Sequence, residues 1–451
     1  MIKLNTYKNQ KISIESLCCL LFYSLPVSFI LGSLIVNLNV ILLLISSLVL
    51  INKNKLSYDL NVFNLLLLAF FSYIFLHTLL HYQTLEYIYL IKSFFLIRFA
   101  FLAIFINILV SHKIVNLKKF FIICCICTSF LSFDIIVQYY LGYNLFGLKS
   151  FFAGRNSSVF GAELIAGTYL QKFSFFSIFI SLFVLKNKNY QNILFIFLLV
   201  LHLTAITFTG DRMPTLLTLM GYGLLFVFFG RVRFIILSSL ILFFAILFPI
   251  MNNDEILKQR YVRFVNEVGF ADVLKKNKND QAKEIQKINE NTNEVANETS
   301  KNKGRIEAFF ESNHGILYLS AIETWKTKPM FGVGYKSYRT ECAKIKTDKK
   351  HVCSTHPHNY YLELLTETGL IGTILVLIII LLLLKYILNY IYENIFNREK
   401  KIYLLAPIII TFLLEIWPLK STGAIFTTWN GTLFWIILSL ALTLRYKKNI
   451  Y

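Results

Sequence analysis

The stretch Leu370–Ile391, LIGTILVLIIILLLLKYILNYI, holds one charged residue, Lys385, in twenty-two positions. As a helix it rises about 33 Å, enough to cross the ~30 Å hydrocarbon core of a bilayer. A run this long without turn residues exceeds any ordinary strand, and one that is apolar on every side has no face to offer water. Comparable runs recur on either side of it. Bounded by charge, they read as Ser16–Ser33, Leu34–Ile51, Val62–Leu80, Glu86–Val110, Leu117–Leu141, Tyr169–Leu185, Ile193–Phe208, Pro214–Phe229, Phe234–Met251, Leu370–Ile391, Ile402–Trp417 and Ile425–Leu444. The chain is 56% hydrophobic with a mean hydropathy of +0.60, above the ~45–50% apolar content of a soluble domain. The fold class expected is therefore all-α, a polytopic integral membrane protein of about twelve transmembrane helices. A removable signal peptide is the weaker reading of the first run, which has a basic flank but no small-residue cleavage site.

Lys and Arg near helix ends are retained in the cytoplasm, so alternate connections should differ in basic content. One set carries eighteen such residues: Lys3, Lys8, Lys11, Lys53, Lys55, Lys113, Lys118, Lys119, Lys186, Lys188, Arg231, Arg233, Arg398, Lys400, Lys401, Arg445, Lys447 and Lys448. The other, apart from one long loop, carries five: Lys149, Arg155, Lys172, Arg212 and Lys420. The asymmetry places both termini in the cytoplasm and divides the chain into three parts. Residues 1–251 form nine spans, 252–369 a large extracytoplasmic loop between the ninth and tenth, and 370–451 the last three. Much of the +20 formal charge is thus orientation signal, and nucleic acid is not an expected partner.

The long loop has two textures. Around 275–305 it is rich in Lys, Asn and Glu and nearly free of large apolar residues, so it cannot bury a core and reads as a mobile or marginally helical insertion. From 306 to 369 aromatics and periodicity return. Ile316, Leu319, Ile322 and Trp325 argue for an amphipathic helix ended by Lys328-Pro329, followed by a Gly-rich turn, MFGVGYKSYR. Cys342 and Cys353 are the two cysteines of this loop, and in an oxidising compartment a structural disulfide is the favoured reading. Metal binding by these cysteines with His351, His356 and His358 is the alternative, although Cys-x-x-Cys spacing is absent. Gly332-Val333-Gly334 lacks the third glycine of a nucleotide-binding turn, and the chain has no Walker motif, so ATP-driven transport is disfavoured.

Two places could carry chemistry. Arg212 sits in the short external connection TFTGDRMP, 207–214, either as an interfacial arginine paired with Asp211 or as an anion clamp whose guanidinium fork matches phosphate oxygens. The second place is STHPHNYYLELLTETGLIG, 354–372, where Thr355 and Pro357 suit a helix start and Gly369 permits a break before the span. That reading puts His358 in a first helical turn at the membrane surface. A neutral histidine there could take a proton, or could simply satisfy a helix terminus.

The string HPHNYYLELLTETGLIG, preceded by PMFGVGYKSYR, resembles the signature region of the O-antigen ligase and O-antigen polymerase family of bacterial membrane glycosyltransferases. TFTGDRMPTL (207–216), WPLKSTGAIFTTW (417–429) and RNSSVFGAELIAGTYL (155–170) resemble further external segments of that family, in matching order. The resemblance implies a C-type glycosyltransferase fold in the bacterial inner membrane with its active site facing the periplasm. The donor would be a glycan on undecaprenyl diphosphate, and the acceptor lipid A-core for a ligase or another carrier-linked repeat for a polymerase. Because the diphosphate is already a leaving group, no cofactor, metal or ATP is expected; apart from these substrates and membrane lipids, no partner is implied. Residue by residue, the resemblance makes His358 the acceptor-activating base and Arg212 a diphosphate contact. Many members carry a further arginine about sixteen residues before the Pro-x-x-Gly turn, where this chain has Asn313-His314. Arg305 nearby is assigned as the second diphosphate contact, with His314 as the alternative stand-in and Asn359, Glu163, Arg155 and Lys420 as supporting candidates. A polysaccharide transporter or flippase without catalysis is the competing class, but the clear internal halves such proteins often show are missing.

Overall fold

The computed structural model describes residues 13–58, 61–81, 87–267, 312–346, 351–394 and 403–446. Regular structure among them is helical, with two isolated β-bridges in the 143–155 connection. The helices are α1 (Ile14–Tyr23), α2 (Leu25–Leu31), α3 (Ser33–Asn54), α4 (Val62–Leu80), α5 (Tyr87–Phe95), α6 (Arg98–Ser111), α7 (Leu117–Leu141), α8 (Ala166–Val184), α9 (Lys188–Phe208), α10 (Arg212–Phe228), α11 (Arg233–Asn253) and α12 (Glu255–Glu267). Within the long loop lies α13 (Asn313–Thr327), α14 (Tyr360–Asn394) leads out of it, and α15 (Ala406–Glu415) and α16 (Thr428–Leu442) follow.

Eight helical segments among the described residues are long and apolar enough to cross a membrane, α5 with α6 being one of them. The pair α1–α2 would make a ninth, bent by 52° where Pro26 enters without a backbone N–H to give. Helices α10 and α15 are shorter apolar helices, and α16 has fifteen residues. The chain is therefore a polytopic helical membrane protein. The boundaries of Val62–Leu80 and Leu117–Leu141 coincide with the runs read from sequence because polar residues stop them locally. Asn61 and Asn116 accept from Asn64 N and Lys118 N at 3.2 and 2.9 Å, and Gly142 closes α7 at φ +78°.

Contacts among helix ends define the side on which the functional residues gather. The Trp429 indole donates to Phe29 O at 3.2 Å, and the Tyr169 hydroxyl donates to Pro26 O at 2.9 Å. These bonds join the adjoining ends of α2, α8 and α16. At the far end of α9, Arg231 of the α10–α11 connection donates to Gln191 at 3.4 Å.

Helix α14 is one run of 35 residues with a break inside it, Gly369 at φ +63°. The turn Pro329–Gly334 lies across that break and satisfies the backbone groups it frees. Leu370 N and Ile371 N donate to Pro329 O and Met330 O at 3.0 and 3.2 Å, while Val333 N and Gly334 N donate to Thr366 O and Glu367 O at 2.8 and 3.1 Å. Both Gly332 and Gly369 are needed, since a Cβ on either would strike the other's backbone. The nine residues before the break thus form a short helix that bends away from the membrane run.

Two expectations shift in detail. Helix α13 forms and ends at Lys328, and Ile316 is buried as expected, but the rest of its buried face is Leu317, Ser320, Ala321 and Thr324, whereas Leu319 is 38% exposed. A strict three-residue step drifts off the stripe that a 3.6-residue period keeps facing inward. His358 is not in a first helical turn: it precedes the cap of α14, whose Asn359 Oδ1 accepts from Tyr361 N and Leu362 N at 3.0 and 3.2 Å.

Candidate functional site

His358 is held by backbone geometry that few side chains accept. Its φ is +56°, in the left-handed region, which costs a non-glycine residue roughly 1–2 kcal/mol. The surroundings enforce it: Thr422 N donates to His358 O at 2.8 Å, and Pro357 before it is buried. Its ring half-emerges beside two other imidazoles, 4.1 Å from that of His356 and 6.4 Å from that of His314. Ser354 Oγ lies 3.3 Å from His358 Nε2. Burial lowers the His358 pKa below the usual 6.5, and the neighbouring His314 adds to this. Burial, with the His358 ring next, takes His356 down to about 4. Both rings are then neutral near pH 7, and His358 can accept a proton.

The connection 416–427 is the plate on which this histidine sits. Tyr361 donates to Ile416 O at 2.5 Å, and Asn359 Nδ2 donates to Pro418 O at 2.7 Å and to Lys420 O at 3.4 Å. Glu363 Oε2 accepts from Ile425 N at 2.8 Å. Below it, Glu415 lies between two ammonium groups, Lys172 at 2.6 Å and Lys420 at 3.0 Å, all three side chains at most 6% exposed. Burial draws Lys420 down to about 8 against the opposing pull of Glu415. Lys420 Nζ also rests over the Tyr360 ring at 5.1 Å, one residue into α14.

The arginine cluster lies at the start of α8. Asp211 accepts from Gly167 N in the first turn of that helix, where a carboxylate meets the positive end of the helix dipole. Gly167 has no Cβ to block it: one placed there would lie 2.8 Å from Asp211 Oδ2. Arg155 Nη1 is 3.7 Å from Asp211 Oδ1, and Arg260 donates to Gly210 O at 3.4 Å. Arg212 lies over the Phe264 ring at 5.4 Å. Burial lowers Arg260, and repulsion from Arg155 and Arg212 lowers it further, which puts all three guanidiniums in one field. Burial raises Asp211 to about 6 in spite of Arg155 and Arg260. Asp211 faces Arg155 and Arg260, and Arg212 acts on Arg260, so three guanidiniums gather at one helix start, the side-chain type whose planar fork grips phosphate oxygens.

Helix α8 connects the two clusters, because Gly167 and Lys172 are five residues, or about 7.5 Å of rise, apart on it. Of the residues singled out in the sequence, the structure gathers His358, His314, Asn359 and Lys420 around 416–427, and Arg212 and Arg155 around Asp211. Glu163 is exposed in the turn before α8 and joins neither cluster. Arg305 and the 275–305 insertion lie outside the described residues. Cys342 and Cys353 are joined at an S–S distance of 2.01 Å, with His351 Nε2 3.4 and 3.2 Å from their sulfurs.

Sequence reasoning missed several members. Arg260 was visible only as one of several arginines in the long loop. Glu363 and Glu367, both 2% exposed, turn inward four residues apart, where Glu367 Oε2 accepts from Lys336 N at 2.8 Å. The apolar Leu362 and Leu365 of the same segment are only half-buried. The i, i+4 spacing of two carboxylates was the available signal. Glu415 was hidden inside an apolar run.

The helix ends of this membrane fold thus present a neutral histidine and a cluster of three arginines. Residues 197–377, which include Arg212, Arg260 and His358, match the family described as O-antigen ligase, and over this segment the chain is similar to that family. No curated protein matches the chain.

Proposed function

We propose that this protein is a periplasm-facing inner-membrane enzyme that transfers glycan from undecaprenyl diphosphate to lipid A-core. The observation that carries the reading is the arginine cluster at the start of α8, which lies about 1.4 helical turns from the lysine–glutamate triad under the His358 plate. Arg212, Arg155 and Arg260 take the donor diphosphate in two-pronged hydrogen bonds, and the positive end of α8 adds to the field. His358 accepts the proton of the acceptor hydroxyl as that oxygen bonds to the anomeric carbon. The bond from that carbon to the diphosphate oxygen breaks, and the carrier leaves as an anion stabilised by the arginines. His314 lies on the open side of His358 and can contact the acceptor, whereas Asn359 and Lys420 position the histidine by fastening 416–427 to α14.

The same chemistry joins one carrier-linked repeat to another in a polymerase. Lipopolysaccharide from a deletion strain decides between the two on a silver-stained gel. A ligase leaves core without any repeat, a polymerase leaves core with a single repeat, and an unchanged ladder refutes both. Complementation by His358→Ala should fail in either case.

A further inference from the structure

The connection after α7 does not extend into solvent; it folds back along the helix. Residues 143–149 form a tight hairpin, with Tyr143 bridged to Lys149 and Gly147 at φ +79°. Leu145 N donates to Asp134 Oδ1 at 2.8 Å, and Asp134 is seven residues, or about 10 Å of rise, below the end of α7 at Leu141. The Phe146 ring reaches that of Phe130, another turn down, at 6.3 Å. Phe130 belongs to an outward stripe on α7 that includes Ile122, Ile126 and Phe133, 38–60% exposed at helical spacing. In a helix of 25 residues, about 37 Å long, such a stripe faces lipid.

The hairpin continues that stripe. Leu145, Phe146, Leu148, Phe151 and Phe152 are 41–66% exposed, a run of apolar side chains that water would penalise. The backbone meets the demand that lipid makes and water does not, namely a partner for each amide. Asn144 N donates to Leu148 O at 2.9 Å, Gly147 N to Asn144 O at 2.9 Å, and Phe146 N and Leu148 N to Asn144 Oδ1 at 3.0 and 2.8 Å. With Leu145 N on Asp134, all five amides from 144 to 148 are satisfied. Gln138 Nε2 donates to Leu148 O at 3.1 Å, and the three side chains that do this work, Asp134, Gln138 and Asn144, are at most 1% exposed.

We propose that Gly142–Phe152 is a membrane-dipping hairpin whose apolar tip lies among the upper acyl chains of the leaflet. Its exit leads through the Phe152–Arg155 bridge into Arg155 and Asp211, so the lipid contact fixes the arginine pocket at headgroup depth. The proposal concerns lipid contact alone and stands whether or not the protein transfers glycan.

The test places a photoactivatable benzoyl-phenylalanine singly at Phe146, Leu148, Phe133 or Lys344 of the full chain. Each variant is reconstituted in nanodiscs of phosphatidylethanolamine and phosphatidylglycerol and irradiated, and lipid adducts are quantified by mass spectrometry. Positions 146 and 148 should give adducts at the level of the lipid-facing Phe133, with loss to background at Lys344, an exposed loop side chain. Adducts at 133 together with background yield at both 146 and 148 would overturn the proposal. Two hairpin positions guard against a single variant that disturbs the turn.

Discussion

The His358 assignment can be separated from mere conformational need because the residue sits at φ +56°. Three replacements divide the possibilities. Alanine in the left-handed region retains a strain of roughly 1–2 kcal/mol, whereas glycine adopts it freely and asparagine tolerates it. Neither glycine nor asparagine can take up a proton near neutral pH. If His358 is the base, all three variants lose the ~10²–10⁴ that a positioned base supplies, about 3–5 kcal/mol of barrier. If the residue only shapes the chain, glycine and asparagine should restore transfer while alanine stays impaired. The assay is transfer of carrier-linked glycan to lipid acceptor in membranes, normalised to the amount of inserted protein. Wild-type rates give a second check through pH. The base works when neutral and its pKa lies below 6.5, so activity should persist through pH 6.5 and fall only at lower pH. Recovery of transfer in His358→Gly or His358→Asn would refute the catalytic role.

Arg212→Lys keeps a charge but not the planar fork, so donor-dependent transfer should fall strongly with insertion unchanged; near-normal turnover would return Arg212 to an interfacial anchor. Gly369→Ala places a Cβ against Met330 and Gly332 at a positive φ, and the protein should lose folded yield, read by gel filtration in detergent; a normal elution profile would contradict the packing described for the break. The lowered pKa values of His356 and His358 mean that the fold disfavours their protonation. Their contribution to stability is complete above pH 6.5 and is lost as pH falls toward about 4 for His356, so thermal stability should decline over that window and decline less in His356→Gln.

The membrane spans were legible wherever charge or a capping residue closed an apolar run, as at Asn61, Asn116 and Gly142. They were less legible where the break came from within. Pro26 bends the first run, and the division of 87–111 falls just before Arg98 with no glycine or proline to mark it. His358 and Arg212 could be singled out because each stands in a short polar string between long apolar ones. Their surroundings could not, since Arg260 reaches Gly210 across 50 residues and Ile425 reaches Glu363 across 62. Periodicity reports which face of a helix is apolar, but 360–368 turns a carboxylate face inward against backbone amides. A hydropathy pattern cannot foresee a face whose partners are backbone groups from another element.

The buried triad provides the last test, and its arithmetic of charge is unusual. Lys172, Glu415 and Lys420 carry two cations and one anion in a site at most 6% exposed, so the three replacements are not equivalent. Glu415→Gln leaves two ammonium groups facing each other without a counterion, the situation in which breaking a buried pair costs roughly 3–5 kcal/mol. Lys420→Met removes the surplus charge and leaves Lys172 on Glu415 as a neutral pair with its 2.6 Å contact intact. The methionine variant should therefore remain well folded, and Glu415→Gln should lose much of its thermal stability in detergent. Transfer should fall in both, because Lys420 fastens 416–427 beneath His358 through its carbonyl and through the Tyr360 ring. If the arginine cluster at the start of α8 holds the donor, a kinetic split follows for Lys420→Met: the turnover number drops while donor affinity stays near wild type. Lys420→Arg should recover part of the turnover. A methionine variant that bound donor poorly yet turned over at the normal rate would show that Lys420 serves the diphosphate and not the histidine.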